Sequence, residues 1–148
     1  MKQLFCIVFL SVVIPVFAAE ENLALNKPVT ASSVEKAKVE PNLAVDGNPK
    51  TRWASQFNDQ QWFMVDLGSV KKVGRVVIFW ERAYGKRYKI QLSTDQKQWK
   101  DAVLKKDGKG GKETLTFPQQ DARYVRFAGD SRGTWNGYSF WEFQVFEK

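Results

Sequence analysis

The sequence predicts an all-β, single-domain antiparallel β-sandwich, and three observations predict it. Apolar and polar residues alternate with period two in one short stretch after another. Gly, Pro, Asp and Asn separate those stretches, and no window of about 11 or more residues keeps helical spacing. Strands this short and frequent can each bury one face only if two sheets pack together or one sheet closes on itself.

Trp62 to Leu67 (WFMVDL) reads as a strand stopped by Gly68. Lys72 to Trp80 (KVGRVVIFW) is a longer and more apolar one. Tyr88 to Ser93 (YKIQLS) alternates, so one of its faces is buried, and Thr94-Asp95-Gln96 turns the chain before Trp99 and a short strand to Leu104. Glu113 to Phe117, Arg123 to Ala128 and Ser139 to Phe146 complete the set, with no internal repeat. Trp62, Trp99, Phe127, Trp141 and Phe143 fall in strand patterns and are expected in the core. Phe57, Trp80, Tyr84, Trp135 and Tyr138 fall at strand ends or in loops, where an exposed ring is a platform for a ligand. The loops available for function are 34–61, 81–87 and 129–138.

A chain of 148 residues suits one domain. Residues 1–18 read as a secretory signal rather than as part of it. Lys2 is followed by an apolar run from Leu4 to Val16, with a small-residue exit that allows cleavage after Ala18 or Ala19. The run is short of the roughly 20 residues that span a bilayer. The domain is then 22–148, in a secreted or periplasmic protein. Cys6, the only cysteine, leaves with the leader, so the mature chain has no disulfide.

With Lys2 removed, 22 of the 23 Lys and Arg remain against 16 Asp and Glu, a net charge of +6. That charge would suit nucleic acid or anionic lipid, but the cations are scattered. The densest group, Lys105, Lys106, Lys109 and Lys112, stands in a Gly-rich segment with Asp107 and Glu113 and reads as a solvated hairpin loop, so no nucleic-acid partner is expected. The chain has no His at all, which removes Ser–His and Cys–His catalysis.

One stretch, Ala44 to Trp53 (AVDGNPKTRW), holds more chemistry than a turn needs. Gly47 and Pro49 force a bend, and Asp46, Asn48 and Thr51 put a carboxylate, a carbonyl and a hydroxyl around it. Read alone, this is either an oxygen donor set for a hard cation or an ordinary Asp-Gly turn capped by Thr51.

Seven segments in order carry a resemblance: Asn22 to Pro28 (NLALNKP), Thr30 to Ser33 (TASS), AVDGNPKTRW, Gln61 to Gly68, Arg75 to Val77, Arg123 to Arg126 (RYVR) and Gly137 to Val145 (GYSFWEFQV). Together they resemble the discoidin, or coagulation factor type C, family of galactose-binding-like domains, and within it the bacterial carbohydrate-binding modules attached to chitosan- and β-glucan-degrading enzymes. The resemblance implies an eight-stranded jelly-roll-like sandwich with its ends close together. It also implies a structural Ca²⁺ held by Asp46, Asn48 and Thr51, with Glu142 as the second carboxylate. It implies, further, a sugar site in the end loops at Glu35, Arg52, Glu81 and an aromatic near Tyr138. Phe57 stands where the family often has a tyrosine, and Asn136 where it often has an aromatic, which gives that role to Trp135.

Rings that stack on a pyranose and acids, amides and Arg that fix its hydroxyls are what such a site requires. The chain is therefore read as a secreted, monomeric, lectin-like module for β-linked glucosyl or glucosaminyl polysaccharide. Glu35 and Glu81 would give the site an acidic character suited to an amino sugar within a Debye length of ~8–10 Å. A glycosidase would have to use the same two acids as its pair, and the family resembled binds rather than cuts. The alternatives are a discoidin-type membrane module, with apolar loop tips in the bilayer and Lys or Arg on anionic headgroups, or a cell-adhesion module.

Overall fold

The computed structural model describes residues 12–15 and 18–148. The expected leader, residues 1–18, lies largely outside them. Seven strands are formed: β1 (Val29–Ala31), β2 (Trp53–Ala54), β3 (Trp62–Trp80), β4 (Gly85–Ser93), β5 (Lys100–Lys105), β6 (Lys112–Arg132) and β7 (Ser139–Phe146), with one short 3₁₀ turn at Pro41–Ala44. Every pairing is antiparallel, in the order β2-β7-β3-β6-β4-β5, and β1 joins β3.

The two long strands make the sandwich. Trp62 to Asp66 of β3 pairs with Tyr124 to Ala128 of β6, and Arg75 to Phe79 pairs with Lys112 to Thr116. Register shifts between Asp66 and Lys71 and between Val73 and Arg75 bend the pair between these stretches, and Gly68 takes φ +87° there. One half of the pair carries β1 and, through β6, β4 and β5; the other carries β7 and β2. The inner faces of the two layers meet through rings. Phe63 packs 4.9 Å from Phe140 and 5.4 Å from Phe143, and Phe127 packs 5.7 Å from Trp80 and 5.8 Å from Phe140. The expected strand pairs 62–67 with 72–80 and 113–117 with 123–128 are thus each one continuous strand, because bulges bend the chain without ending it. Seven strands are present where the resemblance implies eight.

The alternation of β3 points Phe63, Val65 and Leu67 inward, so Trp62 faces out and is 37% exposed, against the core position expected of it. Trp99 is also not core. It is half-buried on the surface under the Arg126 guanidinium, 3.8 Å from its ring centre. Trp141 leaves the core as well. Glu142 pairs with Phe79 and Phe140 with Trp80, so Trp141 is the unmatched residue of a bulge. Trp80 is buried, with Nε1 donating to Glu113 at 2.7 Å, and is not a platform. The lysine-rich 106–111 segment joins β5 to β6, but β5 pairs with β4, so it is a connection rather than a hairpin. The two ends of the domain meet: Leu23 N–H donates to Val145 O at 2.8 Å, and Val145 N–H to Asn22 Oδ1 at 3.1 Å.

Candidate functional site

Four chain segments are stitched together at one end of the sandwich. Ser55 N–H donates to Tyr138 O and Tyr138 N–H returns to Ser55 Oγ, both at 2.8 Å. Glu81 N–H donates to Ser139 O at 2.9 Å, Ser139 N–H to Ala83 O at 2.8 Å, and Glu35 N–H to Ala54 O at 2.8 Å. Gly137 permits this closeness, since a Cβ there would stand 2.4 Å from both Gln56 O and Ser55 Oγ. These bonds define a hollow of about 200 Å³ lined by Glu35, Arg52, Phe57, Glu81 and Tyr138. Five of the six residues expected at a sugar site therefore meet, although they are spread from 35 to 138 in the chain.

Their states differ. The Phe57 ring is 46% exposed, and Trp135, 76% exposed, stands behind it edge-on at 5.7 Å without lining the hollow. The Trp135 loop is braced by Arg132, whose Nη1 donates to Trp135 O at 3.0 Å and Asn136 O at 3.2 Å while Nε holds Asp59 at 2.8 Å. That bond holds the Asp59 carboxyl below the usual carboxylate range. Glu81 is pinned at both ends, since its Oε2 also accepts Ala83 N–H at 3.1 Å. Arg52 has no carboxylate partner among the described residues. It donates to Ser139 Oγ at 2.8 Å and lies 6.0 Å over the Trp141 ring.

Two expectations are corrected. Tyr138 is fully buried, its hydroxyl donating to Asp59 O at 2.8 Å, so its ring is not an exposed stacking face. Burial raises its phenol well above the ordinary value. The acidic character inferred from Glu35 and Glu81 is also offset. Lys36 and Arg82 line the same hollow with Arg52, and Lys36 Nζ is 3.8 Å from Glu35. Sequence reasoning missed these cations and Ser139, because a flanking Lys or Arg in a loop has no pattern to mark it.

The 46–51 turn sits on the outer face of β7. Thr51 Oγ1 donates to Asp46 Oδ2 at 2.7 Å, Asn48 N–H to Asp46 Oδ1 at 2.9 Å, and Gly47 N–H to Glu142 Oε1 at 3.0 Å. The Glu142 side chain is 5% exposed, and its Oε2 is buried and meets no hydrogen-bond donor. Burial, then the hydrogen bond and negative charge of Asp46, push the Glu142 carboxyl up to about 8. Burial opposes ionisation of Asp46 too, but the bonds from Thr51 and Asn48 outweigh it and hold that carboxyl low. Among the described residues no three His, Cys, Asp or Glu converge. A cation here would therefore rest on two carboxylates, the Thr51 hydroxyl and backbone carbonyls. That is an all-oxygen set of the kind a hard cation takes, and it would give the orphaned Oε2 a partner. Asn48 donates its N–H to Asp46, and its Oδ1 accepts Lys50 N–H at 3.0 Å, so its side chain also shapes the turn.

Comparison with known proteins bears on this end of the molecule. A family model described as a NedA-like, galactose-binding domain matches residues 43–127. Chitosan-binding module 1 of a chitosanase/glucanase from Paenibacillus sp. IK-5 superposes with a TM-score of 0.83 at 47% identity, covering 85% of this chain and 98% of that one. Module 2 of the same enzyme, solved in complex with chitotriose, gives 0.83 at 42% identity, covering 84% and 99%. The polysaccharide lyase 8 family protein HylA of Enterococcus faecalis is 36% identical over 124 residues, which is 74% of this chain and 9% of that protein. The chain thus spans less than a tenth of the length of that curated relative.

Proposed function

This chain belongs to the NedA-like, galactose-binding domain family of the F5/F8 type C group, and on that footing we propose that it is a secreted or periplasmic, non-catalytic carbohydrate-binding module for β-linked glucosaminyl or glucosyl chains. The observation that carries the proposal is the convergence of Glu35, Arg52, Phe57 and Glu81 on one hollow with an exposed ring at its rim. The Phe57 face takes the C–H face of a pyranose, while Glu81 and Glu35 accept hydrogen bonds from its hydroxyls or amine. Arg52, held by Ser139 and without a carboxylate partner among the described residues, donates to ring or hydroxyl oxygens. The solved relative bound to chitotriose supports a glucosaminyl ligand. The offset charge of the hollow keeps neutral glucans within the class.

A structural Ca²⁺ is part of the proposal, held by Asp46, Glu142, Thr51 and carbonyls of the turn. Its role is to neutralise two facing acids and pin the turn to β7. A second reading rests on the exposed Phe57 and Trp135 with Lys36 and Arg82 beside them, as a membrane-docking tip would have. Titration calorimetry on the mature chain decides between them, with chitotriose, a laminarin trimer and galactosides in parallel with sedimentation of phosphatidylserine vesicles. Saturable binding to the glucosamine or glucose oligomers is expected. Vesicle binding with no sugar binding would reverse the assignment.

A further inference from the structure

Arg52 stands at the edge of the hollow that faces β7. Beyond it, on the outer face of β7, lies a groove of about 320 Å³ lined by Gly47, Pro49, Phe79, Trp141, Glu142 and Gln144. The bulge at Trp141 creates it. Regular alternation would send Trp141 inward with Phe143, and the unmatched residue turns the ring out instead. Trp141 is half-buried with its open side on this groove.

The groove is a separate depression that lies beside the hollow along β7. Ser139 lines the hollow and Trp141 the groove, two residues apart on one strand, which is about 7 Å. Arg52 spans the gap, with Nη1 on Ser139 Oγ at 2.8 Å and its guanidinium 6.0 Å over the Trp141 ring. The surface on offer suits an uncharged sugar ring. Trp141 presents a flat face, Pro49 and Phe79 form apolar walls, and the half-exposed Gln144 amide has both a donor and an acceptor for a hydroxyl. Glu142 also lines the groove, but it is only 5% exposed and its Oε1 accepts Gly47 N–H, so it adds little charged surface there.

We propose that this groove is a second subsite for the same chain ligand: two units occupy the hollow and the Arg52 crossing, and the units that follow stack on Trp141. The proposal rests on the carbohydrate-binding reading and deepens it: the module reads a polysaccharide over several units rather than a single terminal sugar.

The test is the dependence of affinity on ligand length, measured by titration calorimetry with a glucosamine dimer and hexamer. In the unaltered protein the hexamer is expected to bind about ten-fold more tightly than the dimer. Trp141→Ala should weaken the hexamer about five- to ten-fold and leave the dimer within about two-fold, while Trp141→Phe, which keeps a stacking face, should restore most of the loss. Gln144→Ala, on an outward strand position, should show the same selectivity at smaller size and serves if Trp141→Ala unfolds. Equal losses on both lengths would mean that Trp141 acts only through Arg52, and that outcome overturns the subsite. A hexamer no tighter than the dimer in the unaltered protein does so as well. If the unaltered protein binds neither length, the carbohydrate reading fails and the subsite with it.

Discussion

Removal of Ca²⁺ with EDTA is expected to lower the melting temperature on the order of 10 °C. An ion present at about a hundred times its dissociation constant stabilises the folded state by about 2.7 kcal/mol, and in a domain of this size 1 kcal/mol moves the midpoint by roughly 4 °C. The expectation comes from the buried Glu142 carboxyl, whose Oε2 meets no hydrogen-bond donor and whose neighbour is a second acid, Asp46. Asp46→Ala should melt where the stripped protein melts and should not respond to added Ca²⁺. Glu142→Gln gives the sharper result because the raised carboxyl is largely neutral at pH 7 without the ion, so the amide replaces a neutral group there but cannot offer Ca²⁺ a second negative charge. Without Ca²⁺ it should be no less stable than the unaltered protein, and with Ca²⁺ it should be less stable. Melting curves of the unaltered protein that coincide in EDTA and in Ca²⁺ would remove the metal from the account.

Glu81→Gln is expected to weaken binding of a glucosamine oligomer ten-fold or more, and Glu35→Gln by less. A hydrogen bond to a charged group contributes about 1.5–3 kcal/mol, and each 1.4 kcal/mol is about a factor of ten in affinity. The order follows from the geometry. Glu81 is held by its own N–H on Ser139 O and by Ala83 N–H on its carboxylate, so it is already oriented. Glu35 shares its charge with Lys36 at 3.8 Å. A laminarin oligomer should lose less in both variants, because its hydroxyls still bond to an amide, and added salt should weaken the amino sugar more than the glucan. Calorimetry with both oligomers and both variants checks this, with the melting temperature as control for the fold. Affinities unchanged in all four combinations would put the ligand elsewhere.

Much of the fold is legible in the sequence because alternation of polarity survives in nearly every strand. What alternation does not give is its phase. Trp62 and Phe63 are equally apolar, and only the pairing of β3 with β6 decides that Phe63 goes in and Trp62 out. At Trp141 the phase changes inside the strand, and nothing in WEFQVF marks the bulge. Gly68 reads as a stop, yet its φ of +87° lets the strand bend and continue.

The residues that line the hollow are legible for another reason. Glu35, Arg52 and Glu81 sit in motifs whose order matches the family, while composition and spacing alone would have left them as solvated charges. Tyr138 was misread because its fate depends on a distant glycine. A Cβ at Gly129 would stand 2.4 Å from the tyrosine ring, and that space in β6 takes the side chain into the core. Lys36 and Arg82 change the charge of the hollow only once the loops are folded against each other, which is tertiary information.

The central claim is that one end of the sandwich holds the sugar, and the most direct measurement is a titration of the ¹⁵N-labelled mature chain with chitotriose followed by amide NMR shifts. The account predicts that the perturbed amides cluster at 35–36, 54–57, 81–83 and 136–139, with the indole N–H of Trp135 moving through Phe57 and the amides of β5 unmoved. Saturable shifts centred instead on the surface around Asp95 and Trp99, at the far side of β4 and β5, with the end loops silent, would contradict it.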